Sequence, residues 1–147
     1  MMFDVIIFDW KRTLYDPDAK ALIEGAQEIL EYFKNKNTPM ILVGKGGDDM
    51  NAEVERLGVR KYFSDIIFAE GEKDPNVYVP YIPKDDPTKA VFIGDRVRSE
   101  LEIGNKLGAS TIWVRQGKFA MEEPETELQK PTYTVQSLRE CLAFLSR

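Results

Sequence analysis

Short apolar runs alternate with amphipathic segments along the whole chain. Phe3–Phe8, Met40–Val43, Ile66–Ala69, Ala90–Ile93 and Thr111–Val114 are nearly continuous in apolar residues and rich in valine and isoleucine. Runs this short and this uniformly apolar predict strands buried on both faces, the environment of a parallel sheet. Between them the spacing changes to the helical period. Leu22, Ala26, Ile29, Leu30 and Phe33 fall on one helical face. Met50, Val54 and Leu57 fall on another, and Gly58 follows as a stop. Ser99 and Glu102 match a capping box ahead of Leu101, Ile103 and Leu107, with Gly108 as the next stop. Ser137 and Glu140 match a second box ahead of Leu138, Cys141, Leu142 and Leu145. The alternation predicts the α/β class: a three-layer α/β/α sandwich around a Rossmann-like parallel sheet of about five strands, joined by right-handed crossovers.

Two stretches break the pattern. Residues 74–88 hold half of the eight prolines and read as a loop, with room for a short helix over 76–81. Residues 117–132 are acidic and proline-bearing, and read as a mobile surface crossing. No repeat, low-complexity tract or linker interrupts the chain, so residues 1–147 read as a single domain.

Composition then narrows the chemistry. The net charge of −5 argues against general nucleic-acid binding, which needs a basic field. No histidine occurs, which excludes Ser-His-Asp and Cys-His catalysis and histidine-ligated zinc. The single cysteine, Cys141, cannot form an internal disulfide and is expected in the core. The first strand begins within two residues of Met1, so no signal peptide or membrane anchor is expected, and a cytoplasmic location is.

In an open α/β sheet, ligands bind at the carboxyl ends of the strands. The residues there are Asp9-Trp10-Lys11-Arg12-Thr13, Gly44-Lys45-Gly46-Gly47, Glu70-Gly71-Glu72-Lys73, Gly94-Asp95-Arg96-Val97-Arg98 and Arg115-Gln116-Gly117. Asp9 and Asp95 stand directly at strand ends, among cations that contrast with the acidic whole. A carboxylate pair with a lysine suits Mg²⁺ and a phosphate together, since hard oxygens hold the metal and ammonium pairs with phosphate charge.

These residues carry a resemblance. The run Val5-Ile6-Ile7-Phe8-Asp9-Trp10-Lys11-Arg12-Thr13 is similar to the first motif, hhhhDxDx[TV], of the haloacid dehalogenase-like (HAD) hydrolase superfamily. The second motif is an apolar strand ending in threonine or serine, and here the apolar strand Met40–Val43 ends in Gly44. Lys73, followed by Asp74-Pro75, resembles the third. Gly94-Asp95 with Glu100 resembles the fourth. The order and spacing extend the resemblance over nearly the whole chain.

The resemblance implies roles. Asp9 would be the nucleophile that accepts a phosphoryl group as an aspartyl-phosphate. The carboxylates of Asp9 and Asp95, with the backbone carbonyl of Lys11, would hold Mg²⁺. Lys73 would neutralise Asp9 and the phosphoryl oxygens. Glu100 would orient Lys73 or reach the metal through water. Thr13, Gly44, Lys45 and Lys73 would line the phosphate. Phosphoryl transfer is mostly alignment and charge neutralisation, so a metal and a lysine are what the step requires.

Two departures stand out. The family's phosphatases place a second aspartate two residues after the nucleophile, as general acid and base, and here that residue is Lys11. An unperturbed ammonium, with a pKa of ≈ 10.4, is no base at neutral pH. Neighbouring cations would lower that value and neighbouring carboxylates raise it, and sequence leaves the sign open. Gly44 also lacks the hydroxyl expected there, which the loop amides of residues 44–47 or Lys45 would replace. A phosphatase-like hydrolase with Lys11 as altered acid and a pseudo-enzyme that only binds phosphate or metal both remain. The dehalogenase branch also lacks the second aspartate but uses a large cap, and the short spans from Thr13 to Met40 and from Gly44 to Lys73 leave no room for a cap domain. An open, capless site is associated in the family with large substrates or closure by a neighbouring subunit. The expected partner is a phosphorylated substrate, with an oligomer as an option.

Overall fold

In the computed structural model, the described residues are 2–45, 47–68 and 74–147. The sequence forms β1 (Val5–Asp9), β2 (Tyr15–Asp16), β3 (Ala21–Leu22), α1 (Ala26–Asn35), β4 (Met40–Gly44), α2 (Gly47–Leu57), β5 (Asp65–Phe68), β6 (Ala90–Gly94), α3 (Glu100–Lys106), β7 (Ser110–Val114), β8 (Tyr133–Val135) and α4 (Leu138–Leu145), with short 3₁₀ turns between. Six strands build one parallel sheet in the order β5-β4-β1-β6-β7-β8. The sixth strand, β8, goes beyond the five expected. It is three residues long and lacks a continuous apolar run, so its signal is weak.

The period-two alternation of side chains divides the core. Ile6 and Phe8 of β1 point into a cluster with Ile29 and Leu30 of α1, Val54 of α2 and Leu138 of α4. Val5 and Ile7 point the other way, toward Leu101 of α3, Tyr78 and Val97. Three helices thus cover one face and α3 the other, giving the three layers expected. Cys141 lies in the first cluster, wholly buried, and burial pushes its thiol up to about 12. Among the described residues, only the β2–β3 ribbon and α1 lie between β1 and β4, and only α2 and one 3₁₀ turn between β4 and β5, so no cap is inserted there. No helix of the described residues is long and apolar enough to cross a membrane.

Several local expectations are corrected. Leu22 pairs with Tyr15 in the ribbon rather than extending α1. The helix starts at Ala26 because Gly25 takes φ of 93°, a left-handed conformation that breaks the helical run. The stretch 76–81 forms two 3₁₀ turns, Pro75–Val77 and Val79–Tyr81, instead of one short helix. Ser99 makes no side-chain cap; Glu102 instead accepts from Gln129 at 2.7 Å. Ser137 does cap α4, accepting from the Glu140 N–H at 3.1 Å. The 117–132 segment is tied down rather than trailing free. Asn105 donates to the carbonyls of Leu128 and Lys130, and Arg98 to that of Glu123.

Candidate functional site

The sheet order reverses between β1 and β6, which puts a crevice at their carboxyl ends. Phe8 is level with Ile93 across that pair, so Asp9 and Asp95 emerge side by side. Glu100, the first residue of α3, reaches back to join them. One oxygen from each of Asp9, Asp95 and Glu100 lies within 4.8 Å of the others. The geometry requires Gly94: a Cβ there would lie 2.5 Å from Glu100 Oε1 and 2.6 Å from its Cγ.

The cluster is held rigidly. The indole of Trp113 donates to the Asp95 carbonyl at 2.9 Å. The Arg96 N–H donates to Glu100 at 3.3 Å. Thr13 is fully buried, with its hydroxyl 3.4 Å from both Asp9 Oδ2 and Asp95 Oδ1. One hydroxyl hydrogen serves one of these at a time, and both contacts are long. Thr13 therefore sits beneath the carboxylates as a support and is not presented to a phosphate. Asp95 is 2% exposed, and its Oδ2 has no hydrogen-bond partner among the described residues. Burial first, then the charges of Glu100 and Asp9, push its carboxyl up to about 8. A buried acid raised in this way, grouped with two other carboxylates, has the donor chemistry of a hard-cation site.

Above the cluster opens a cleft of about 210 Å³, shared by Asp9, Asp95 and Glu100 with Lys11, Arg12, Lys45 and Arg96. Lys11 is exposed and its ammonium pairs with no carboxylate among the described residues. Arg12 carries φ of 66°, a strained value for a side chain with a Cβ. Its N–H bonds to the Tyr15 carbonyl at 2.6 Å, while the N–H groups of Thr13, Leu14 and Tyr15 converge on the Trp10 carbonyl. This tight turn fixes the loop after Asp9. Gly44 is filled from the other side: a Cβ there would fall 2.5 Å from Met50 Sδ and 3.2 Å from Trp10 Cβ. Lys45 follows, exposed at the cleft wall. Lys73 and the Gly46 amide lie outside the described residues.

Three further residues were read only partly or not at all from sequence. Trp10 is buried, stacked on Tyr15 at 5.2 Å, and its indole N–H donates to Glu53 at 2.9 Å. Phe119 forms part of the cleft wall, with the Arg96 guanidinium 4.1 Å and that of Arg12 5.8 Å from its ring centre. Glu122 pairs with Arg96 at 3.0 Å. Arg96 and Arg98 are thus engaged with the segment after β7. Phe119 lies just two residues past the strand-end stretch Arg115–Gly117, so a wider reading of that edge finds it. Glu122 carries no comparable signal.

Comparison with known proteins agrees with this fold. A family model described as HAD-hydrolase-like matches residues 62–141, a little over half of the chain. A glyceraldehyde 3-phosphate phosphatase from Methanopyrus kandleri is 28% identical over 93 residues, which is 59% of this chain and 40% of that protein. The match thus covers about two fifths of that relative's length. Among solved structures, the HAD-hydrolase YfnB from Bacillus subtilis, bound to magnesium, superposes with a TM-score of 0.81 at 14% identity, covering 100% of both chains. A D,D-heptose 1,7-bisphosphate phosphatase from B. bronchiseptica, complexed with magnesium and phosphate, superposes with a TM-score of 0.73 at 15% identity over 98% of each chain. At these identities the superpositions establish the fold. With the family match and the strand-end acids of the crevice, they place the chain in the HAD-hydrolase-like family.

Proposed function

We propose that this chain catalyses phosphatase-type phosphoryl transfer, taking the phosphoryl group of a phosphomonoester onto Asp9 with Mg²⁺ as cofactor. The observation that carries the reading is the convergence of Asp9, Asp95 and Glu100 within 4.8 Å, with a buried oxygen of Asp95 that has no hydrogen-bond partner among the described residues. Those three carboxylates, with the Lys11 backbone carbonyl, would hold the ion. When bound, Mg²⁺ supplies charge neutralisation at the phosphoryl oxygens. The relatives named for magnesium and for phosphatase activity support the same chemistry.

The chain's own residues do the rest. Asp9 ends β1 with no slack, so its carboxylate is presented at a fixed height in the crevice. Thr13 below and the tight turn beside it keep the attacking oxygen oriented. Lys11, Arg12 and Lys45 line the cleft and meet the phosphoryl charge. Lys73 joins them in this proposal. The Lys11 ammonium donates a proton to a departing alkoxide. Phe119 bounds the cleft, with the Arg96 guanidinium over its ring.

The test is release of the leaving group from a panel of phosphomonoesters with Mg²⁺, at chain concentrations where one equivalent is visible. Wild type is expected to release it and Asp9→Asn to be inert. Equal inertness of both across the panel would sink the proposal. That outcome would favour a pseudo-enzyme that binds phosphate or metal, the reading to which Lys11 and the thioether-filled Gly44 position point.

A further inference from the structure

We infer that Arg96 determines the specificity of this site, and that the substrate it selects carries a second anionic group, a carboxylate or another phosphate, on its leaving group. The inference rests on the phosphoryl-transfer reading above and narrows its substrate class. What carries it is the setting of the Arg96 side chain. Arg96 directly follows Asp95 and lines the cleft over the acid cluster. Beside that cleft lies a second cavity of about 400 Å³, and the two share Lys45, Arg96 and Ser99 in their walls. A leaving group that extends from one into the other passes the guanidinium.

A surface arginine is ordinarily solvated and free to change rotamer. Arg96 is held. Its guanidinium lies 4.1 Å from the centre of the Phe119 ring, within cation–π range. Its Nε and Nη2 both donate to Glu122 Oε2, at 3.3 and 3.0 Å. The other oxygen of Glu122 accepts from the backbone N–H of Arg98 at 3.1 Å, and the Glu122 side chain is only 8% exposed. Glu122 is thus a fixed anchor. Nη1 of Arg96 has no partner among the described residues, and the side chain is still 39% exposed. Nη1 and the second hydrogen of Nη2 form a fork that fits two oxygens of a carboxylate or phosphate. Fixing that fork before a ligand arrives removes part of the ordering cost of binding. The surrounding charge agrees. Lys11, Arg12 and Lys45 line the same cleft, in a chain whose net charge is −5. Among the described residues, the carboxylate on the wall of the second cavity is Glu102, and Lys106 and Gln129 engage it at 3.7 and 2.7 Å.

The test uses three phosphomonoesters that differ at one carbon: glycerol 3-phosphate, 3-phosphoglycerate and glycerol 1,3-bisphosphate. Phosphate release with Mg²⁺ gives kcat/KM for each. Wild type is expected to prefer one or both of the anionic esters over glycerol 3-phosphate by about 10–100-fold, the worth of a hydrogen-bonded charge. Preference for 3-phosphoglycerate alone assigns a carboxylate, for the bisphosphate alone a second phosphate, and for both their shared charge. Arg96→Met should bring the ratios close to one. Glu122→Ala keeps the arginine but frees it, so KM for the anionic esters should rise about 2–10-fold with kcat retained. Glu122→Gln, which still accepts from the guanidinium, should restore KM. Equal kcat/KM for the three esters in wild type overturns the inference and leaves the transfer reading standing. A preference that survives Arg96→Met overturns it as well. Should Arg96→Met fail to fold by circular dichroism, unchanged ratios in Glu122→Ala, or a fall in kcat with KM unmoved, overturn it. If wild type releases phosphate from none of the three, the transfer reading falls, and calorimetric titration of the same esters with Mg²⁺ decides the anion site by itself. Tighter binding of an anionic ester that is lost in Arg96→Met upholds it, and equal binding overturns it.

Discussion

Removing the charge of Asp95 should stabilise the metal-free protein and abolish its response to Mg²⁺. The carboxyl is pushed from 3.8 up to about 8, by burial first and then by Glu100 and Asp9. Its native pKa lies above its unfolded one, so between about pH 4 and pH 8 the native state holds a proton that the unfolded chain has released. Native stability from this group is full at the acid end of that window and falls as pH rises through it. At 1.36 kcal/mol per pH unit the ceiling of the loss is about 5 kcal/mol. Asp95→Asn keeps the shape, and its amide can donate toward Glu100 or Asp9, so recovery of half the ceiling, about 2–3 kcal/mol, would raise Tm by roughly 5–10 °C. In chelator the two proteins should melt together near pH 4 and diverge steadily toward pH 8. Adding Mg²⁺ at about a hundred times its Kd should raise wild type by about 2.7 kcal/mol at the alkaline end. Asp95→Asn should show little of that rise. Thermal melts followed by circular dichroism across the pH series measure both effects. Parallel melting of the two proteins from pH 4 to 8 would refute the electrostatic account. A full Mg²⁺ shift in Asp95→Asn would refute the assignment of the cluster as the cation site.

Two other perturbations test how the site is packed. Gly94→Ala sets a Cβ 2.5 Å from Glu100 Oε1, so the buried glutamate must move; stability should fall by about 1–3 kcal/mol, and calorimetric titration should show weakened Mg²⁺ binding. Gly44→Ser sets a Cβ 2.5 Å from Met50 Sδ and should also cost about 1–3 kcal/mol in urea melts. Met50→Ala alone should cost about 2–5 kcal/mol, but the double variant should lose less than the sum, because the methionine is what the new Cβ strikes.

The chain's legible features are those that one element decides alone. Apolar runs marked the five longer strands because both faces of a parallel strand are buried, and Asp9 and Asp95 stood out because each ends such a run. Contacts between distant segments stayed hidden. Trp113 sits inside β7 and reads as core, yet its indole fixes the Asp95 carbonyl 18 positions earlier in the chain. Arg96 and Arg98 read as surface or ligand cations until the segment after β7 is placed against them, with Glu122 on one and the Glu123 carbonyl on the other. Trp10 adjoins Asp9 in the chain, yet its ring packs on Tyr15 and its indole N–H donates to Glu53, 43 positions later.

The departures at positions 44 and 94 have one physical root. At the carboxyl edge of the sheet, a missing Cβ lets a side chain from the following helix pack against the strand end. Over Gly94 that side chain is Glu100 of α3, and over Gly44 it is Met50 of α2. The two glycines flank Asp9 on neighbouring strands, β6 and β4. The crevice is therefore asymmetric. Toward β6 it is acidic and suited to a cation; toward β4 it is plugged by a thioether and edged by Lys45. The hydroxyl expected at Gly44 is excluded by packing, so in the proposed reaction the phosphoryl oxygens on that side would be met by charge from Lys45 and Lys11 instead. Position 11 completes the pattern. With a lysine there, the described side chains that line the cleft outside the acid cluster include four cations, Lys11, Arg12, Lys45 and Arg96, so an anion entering it meets positive charge opposite the candidate cation site.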